Sequence, residues 1–141
     1  MGLQPIKMKK DKLLSSQFIR FLMVGVANTL VGLSIIYGAK YFFHVGDVLA
    51  NALGYGIGVC VSFLLNSKWT FAYDGLLLPA AAKFIIANAV AYGANLLTVI
   101  VAINYFGLNT YLAQALGMPV YTVTSYLASR YIVFRSASVI E

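Results

Sequence analysis

Acidic side chains are scarce: Asp11, Asp47, Asp74 and Glu141 are the only four in 141 residues. None of them falls inside a long apolar run, and neither does the single histidine, His44. A carrier driven by protons normally needs a titratable group at membrane depth, and none is offered. The one cysteine, Cys60, rules out an intrachain disulfide and reads as a small apolar residue. There is no glycine-rich phosphate cradle, no cluster of residues at metal-ligand spacing, and no nucleophile paired with a base. The chain is therefore expected not to be an enzyme, and to have no cofactor and no metal site. Charge of either sign is thin as well. Charged residues make up 10% of the chain, against about 25% in an ordinary soluble domain.

What the chain has instead is apolar length. It is 61% hydrophobic, with a mean hydropathy of +0.84. A soluble protein of this size leaves much of its area in water and could not hide so much apolar surface. The class is an integral membrane protein. Four runs are predicted as helices, at about Phe18–Tyr41, Val48–Trp69, Ala80–Tyr105 and Tyr111–Phe134. Each has the roughly 20 residues that cross about 30 Å of hydrocarbon at 1.5 Å per residue. The alternating ten-residue segments of a barrel are missing. The opening "MGLQPIKMKKDK" lacks a small-residue cleavage site behind a short apolar core, so no cleaved signal peptide is expected.

The joins "FHVGD" and "FGLNT" are short enough to force tight reversals, and "AYDGLLLP" between them is longer. The expected fold is all-α: four transmembrane helices as two tandem hairpins of the same orientation. The segments are residues 1–17 (a basic N-terminal arm), 18–71 (the first two-helix repeat), 72–80 (a linker), 81–134 (the second repeat) and 135–141 (a tail). Of the ten Lys and Arg, only Lys40 falls on the side of the short joins. The bias places both termini in the cytoplasm of a multi-pass cytoplasmic-membrane protein. The net charge of +6 follows the ends of the apolar runs, which points to lipid headgroups and away from nucleic acid.

A slide of 63 residues lays "VLANALGYGIGVCVSFLLNSKWTF" over "YLAQALGMPVYTVTSYLASRYIVF" without a gap. Leu49, Ala50, Ala52, Leu53, Gly54, Ser62, Leu64 and Phe71 meet identical residues. Upstream, Phe21 meets Phe84 and Arg20 meets Lys83. The pattern reads as a duplicated hairpin. An even number of spans per copy puts the pseudo-twofold axis along the membrane normal.

Each span carries one small or polar face. The second has Asn51, Gly54, Gly58, Ser62 and Asn66; the fourth has Gln114, Gly117, Tyr121, Ser125 and Ser129. The first has Gly25, Asn28, Thr29 and Gly32; the third has Asn88, Tyr92 and Asn95. Glycine and serine serve close helix packing. The amides are costly in hydrocarbon. They either bond across helices or line a groove for hydroxyl-rich ligands, and the sequence leaves both readings open. Arg20, Lys68, Lys83 and Arg130 gather at the cytoplasmic helix ends, beside the interface aromatics Trp69, Phe71 and Tyr131. Such residues set topology, and they also suit the phosphate of an anionic lipid.

"RFLMVGVANT" in the first span and "SFLLNSKWTF" closing the second resemble the GtrA-like family, over about Phe18–Phe134. Arg20, Asn28, Thr29, Asn51, Asn66, Lys68, Trp69 and Phe71 match its pattern. At position 68 many members carry arginine, so Lys68 keeps the charge without the bidentate fork. The resemblance implies movement of a polyprenyl-phosphate-linked sugar, typically undecaprenyl-phosphate glucose, across the cytoplasmic membrane for envelope polysaccharide modification. In that role the four cations are headgroup-binding. Asn28, Thr29, Asn51, Ser62, Asn66, Asn88, Asn95, Gln114 and Ser125 are groove-lining. The implied partners are the sugar lipid and membrane lipids, with a membrane glycosyltransferase and a second copy of the chain as candidates. The alternatives are a non-transporting anchor for a glycosyltransferase and, disfavoured by the missing acid, a small multidrug-type exporter.

Overall fold

The computed structural model describes residues 4–135, with side chains from Lys12 onward. The basic residues Lys7, Lys9 and Lys10, as side chains, and the tail 136–141 lie outside the described residues. Among the described residues the chain is all helical. α1 spans Gln4–Phe43, α2 Asp47–Leu65, α3 Leu77–Asn104 and α4 Thr110–Ala128. Both α2 and α4 run on into a π-helical turn, Asn66–Thr70 and Ser129–Val133.

Three helical segments are long and apolar enough to cross a membrane: Lys12–Phe43, Asp47–Thr70 and Leu77–Asn104. The fourth has the length, but Gln114, Thr122, Thr124 and Ser125 dilute its hydropathy. It also holds Pro119 within the helix, which removes one backbone donor and is tolerated in membrane helices whose neighbours meet the freed carbonyl. α1 begins well before the apolar run at Phe18. Lysine is a good helix former, so the basic arm extends the helix instead of preceding it. At the other end of the linker, Leu77–Pro79 form the first turn of α3, where proline's missing N–H would be unpaired in any case.

The chain parts into two compact units between Ala72 and Tyr73. In the first, α1 packs antiparallel on α2: Gly32 lies against Gly54, Asn28 against Gly58, and Lys40 pairs with Asp47 at the join. In the second, α3 packs antiparallel on α4, with Asn95 against Gly117 and Asn88 against Tyr121. The 63-residue offset recurs inside the units. Gly54 touches Gly32 and Ile36, and Gly117 touches Asn95 and Val99. Ala50 and Ala113 are both fully buried, and Phe63 and Tyr126 nearly so. The chain enters the left-handed region at His44 (φ 52°) and at Gly107 (φ 62°), again 63 apart. Only the glycine does so without strain.

Candidate functional site

Every fourth residue of α2 forms one row: Ala50, Gly54, Gly58, Ser62, Asn66 and, through the π turn, Thr70. Residues four apart share a helical face, and in the first unit this row meets α1. The approach is closest at the glycines. A Cβ on Gly54 would overlap the Ile36 side chain, and one on Gly58 would sit 2.9 Å from Asn28 Oδ1. Further along, Asn66 donates its amide to Ser62 Oγ at 3.3 Å. Asn66 is 2% exposed and Thr70 1%. Three oxygens on this seam, Asn28 Oδ1, Asn66 Oδ1 and Thr70 Oγ1, are buried without a hydrogen-bond partner. In an apolar medium each is worth a kcal/mol or more of destabilisation, at about 1–3 kcal/mol per group.

The seam ends at a cationic cap. In the π turn the Phe71 amide donates to Asn66 O at 2.9 Å, one residue further back than in an α-helix. The end of a helix leaves carbonyls without amide partners. Arg20 supplies one, donating from Nη1 to Trp69 O at 3.2 Å while its guanidinium lies 5.7 Å from the centre of the Trp69 ring. A cation there also suits the negative end of the helix dipole. The Phe21 and Phe71 rings meet edge to face at 6.4 Å and close the inner side. Lys68 and Trp69 point outward, both exposed. The arrangement holds the turn with Arg20 and leaves Lys68 exposed beside it.

The second unit uses its polar groups differently. Asn88 donates to Phe84 O at 2.8 Å, and its Oδ1 accepts from Tyr121 Oη at 2.9 Å and from Ser125 Oγ at 3.1 Å. This hub ties α3 to α4 in mid-seam. On either side of it, Asn95 Oδ1 and Ser129 Oγ are buried and unpartnered. Asn95 lies so near Gly117 that an added Cβ would overlap its side-chain carbonyl. The π turn repeats as well: the Phe134 amide donates to Ser129 O at 2.8 Å, and Phe84 lies 6.0 Å from Phe134. Lys83 is exposed, and the half-buried Arg130 sits 5.5 Å from the Tyr131 ring centre.

Several expected site residues fall elsewhere. Asn51 is exposed and donates to the Asp47 carbonyl of its own helix at 2.8 Å. Gln114 is exposed too. The contact row steps by four throughout, so Ala50 and Ala113 occupy it, and the amides one residue later are rotated by about 100°. Thr29 is exposed and donates to Gly25 O at 3.0 Å. The 63-residue repeat relates only two of the four cations to each other. Arg20 and Lys83 share a repeat position, but Lys68 aligns with Tyr131 and Arg130 with the buried Ser67. Thr70 lies in the row but outside the residues expected from the sequence. Its signal was the row of fours, which continues one step beyond Asn66.

A family model described as "GtrA/DPMS, transmembrane domain" matches residues 20–134. Among curated proteins, the chain is similar to a "Bactoprenol-linked glucose translocase" of Shigella flexneri, 25% identical over 129 residues, 91% of this chain and 99% of that protein. It is also similar to a protein of the same name from Shigella phage SfII, 33% identical over 54 residues, 38% of this chain and 45% of that protein. A "Prophage bactoprenol-linked glucose translocase homolog" of Escherichia coli (strain K12) is 35% identical over 54 residues, 38% of this chain and 45% of its own length. In the last two the matched stretch spans less than half the relative.

Proposed function

The chain belongs to the GtrA/DPMS transmembrane-domain family, and from that membership we propose that it moves a polyprenyl-phosphate-linked sugar across the cytoplasmic membrane. Undecaprenyl-phosphate glucose, destined for an envelope polysaccharide, is the substrate that its relatives' names suggest. The protein is multi-pass; in this reading four helices span, as two hairpins of like orientation, with both termini cytoplasmic. Its role is passage, with no bond of the sugar made or broken.

The observation that carries the reading is Lys68. It stands exposed on the π turn that Arg20 caps, at the helix end that this reading assigns to the cytoplasm. One phosphodiester carries one negative charge. A charge-assisted contact of this kind contributes about 1.5–3 kcal/mol. Arg20 still has donors beyond the one spent on Trp69, so it supports the phosphate from beneath. The polyprenyl tail stays in the bilayer, against the apolar residues that face outward along α1, such as Leu22, Met23 and Val26. With no acid at membrane depth to couple to protons, direction follows the gradient between synthesis inside and consumption outside.

The test is reconstitution. Sealed liposomes holding the protein and radiolabelled undecaprenyl-phosphate glucose are treated with a membrane-impermeant reagent that modifies only outward sugars. A translocase makes the inner-leaflet pool reactive within the assay. A protein that merely anchors a glycosyltransferase leaves that pool protected, as in protein-free liposomes.

A further inference from the structure

We propose that the seam between α1 and the α2 row is the sugar's binding path, closed in this structure, and that Asn28, Asn66 and Thr70 are the residues that read the sugar. The inference rests on the translocase reading and adds where the headgroup binds and what recognises it.

The chemistry of the orphaned atoms selects the ligand. An amide oxygen only accepts. A phosphate diester offers no donor, so Asn28 Oδ1 and Asn66 Oδ1 gain nothing from it. Sugar hydroxyls donate, and Thr70 Oγ1 both donates and accepts. The two kinds of group are also separated along the helix pair. The cation for phosphate, Lys68, is exposed at the end of α2. The acceptors for hydroxyls begin beside it, at Asn66 and Thr70, and continue inward to Asn28 against Gly58. A sugar linked to a phosphate held at Lys68 meets these oxygens in order as it moves inward.

The acceptors are shut away from solvent, so contact requires α1 to part from α2. The comparison with the second unit shows why this seam can part. There Asn88 ties the helices through Tyr121 and Ser125. The equivalent residues of the first unit are Gly25, Gly58 and Ser62. Glycine has no side chain with which to make such a tie. Among the described residues the first seam thus has no mid-seam hydrogen bond like that of Asn88, and its polar ties, Arg20 to Trp69 O and Lys40 with Asp47, lie at its two ends. Parting the helices lets these oxygens take hydroxyl partners one or two at a time as the sugar passes, and this differential binding is what lets a ligand shift a conformational equilibrium.

The experiment is native mass spectrometry of the full-length protein in detergent, titrated with undecaprenyl-phosphate glucose and with undecaprenyl methyl phosphate, a sugar-free diester of the same single charge. The wild type is expected to favour the glucosylated lipid by about tenfold, the effect of one to two net hydrogen bonds. Thr70→Val, Asn66→Leu and Asn66→Ser should bring that ratio toward one. Asn66→Ser installs the residue that the second unit carries at Ser129. Affinity for the sugar-free lipid should stay as in wild type, and thermal unfolding should come no earlier, since each change removes a buried unpartnered oxygen. If all three variants keep the wild-type ratio, the seam does not read the sugar, and the translocase reading stands without it. If they lose both lipids alike, the residues serve the fold and the proposal is overturned. Equal wild-type affinity for the two lipids also overturns it. Binding of neither lipid removes the translocase reading itself.

Discussion

Replacing Asn88 with alanine separates a structural amide from a transporting one. Its side chain makes three hydrogen bonds, two of them between helices, to Tyr121 and Ser125. Interhelical hydrogen bonds in membrane proteins average about 0.6 kcal/mol in double-mutant cycles, so losing two removes about 1.2 kcal/mol. Ser125 is 1% exposed. Its hydroxyl loses a partner that water cannot replace, which raises the total toward about 2–3 kcal/mol. Tyr121→Phe and Ser125→Ala remove one bond each, for about 0.6 kcal/mol apiece. Unfolding in mixed micelles, or steric trapping in bicelles, measures all three. The Asn88→Ala/Tyr121→Phe double variant should fall short of the sum by about 0.6 kcal/mol, since both single changes break the same bond. Whatever Asn88→Ala that folds should keep the wild-type translocation rate. A variant as stable as wild type that cannot translocate would refute this. It would return Asn88 to the groove that the family resemblance implies.

Gly54→Ala should destabilise by about 1–3 kcal/mol through overpacking, because the added methyl meets Ile36 and the Gly32 carbonyl. Gly56→Ala, with open space around it, should be neutral or gain up to about 1 kcal/mol in helix propensity, and the same unfolding assay reads both. His44→Gly should stabilise by about 0.5–1 kcal/mol by relieving the left-handed backbone, bringing the first join to the residue type of the second at Gly107. In a Cys60→Ser background, a membrane-impermeant thiol reagent applied to intact cells should label Gly46→Cys and spare Asp74→Cys. The reverse pattern would invert the orientation.

The helices were legible because hydrocarbon allows few other ways to satisfy a backbone, and runs such as Val48–Trp69 have the right length. Three of the four proved apolar enough to span on composition alone. The fourth, with Gln114 and its threonines, did not. The π turns were not legible. Moving a hydrogen bond from the fourth to the fifth residue leaves no mark in hydropathy, and only the backbone bonds from Phe71 to Asn66 O and from Phe134 to Ser129 O reveal it. The structure keeps Gly54, Gly58, Ser62 and Asn66 in one row of fours and leaves Asn51 outside it. A step of three from Asn51 to Gly54 looks acceptable on a helical wheel. Close packing on α1 obeys the stricter row of fours, which passes through Ala50. The division of labour among amides was equally hidden. Asn28 and Asn88 look alike in sequence, and only their neighbours make one an orphan and the other a hub.

The initial rate of headgroup translocation in proteoliposomes, for wild type, Lys68→Gln and Lys68→Arg against protein-free vesicles, decides whether the protein moves the lipid-linked sugar. The expected result is a wild-type rate well above the vesicle background. It should fall by about tenfold or more in Lys68→Gln, since losing 1.4 kcal/mol of phosphate binding is a factor of ten, and be retained in Lys68→Arg. A wild-type rate equal to that of empty vesicles would contradict the claim, and a Lys68→Gln rate equal to wild type would reduce Lys68 to a topology signal.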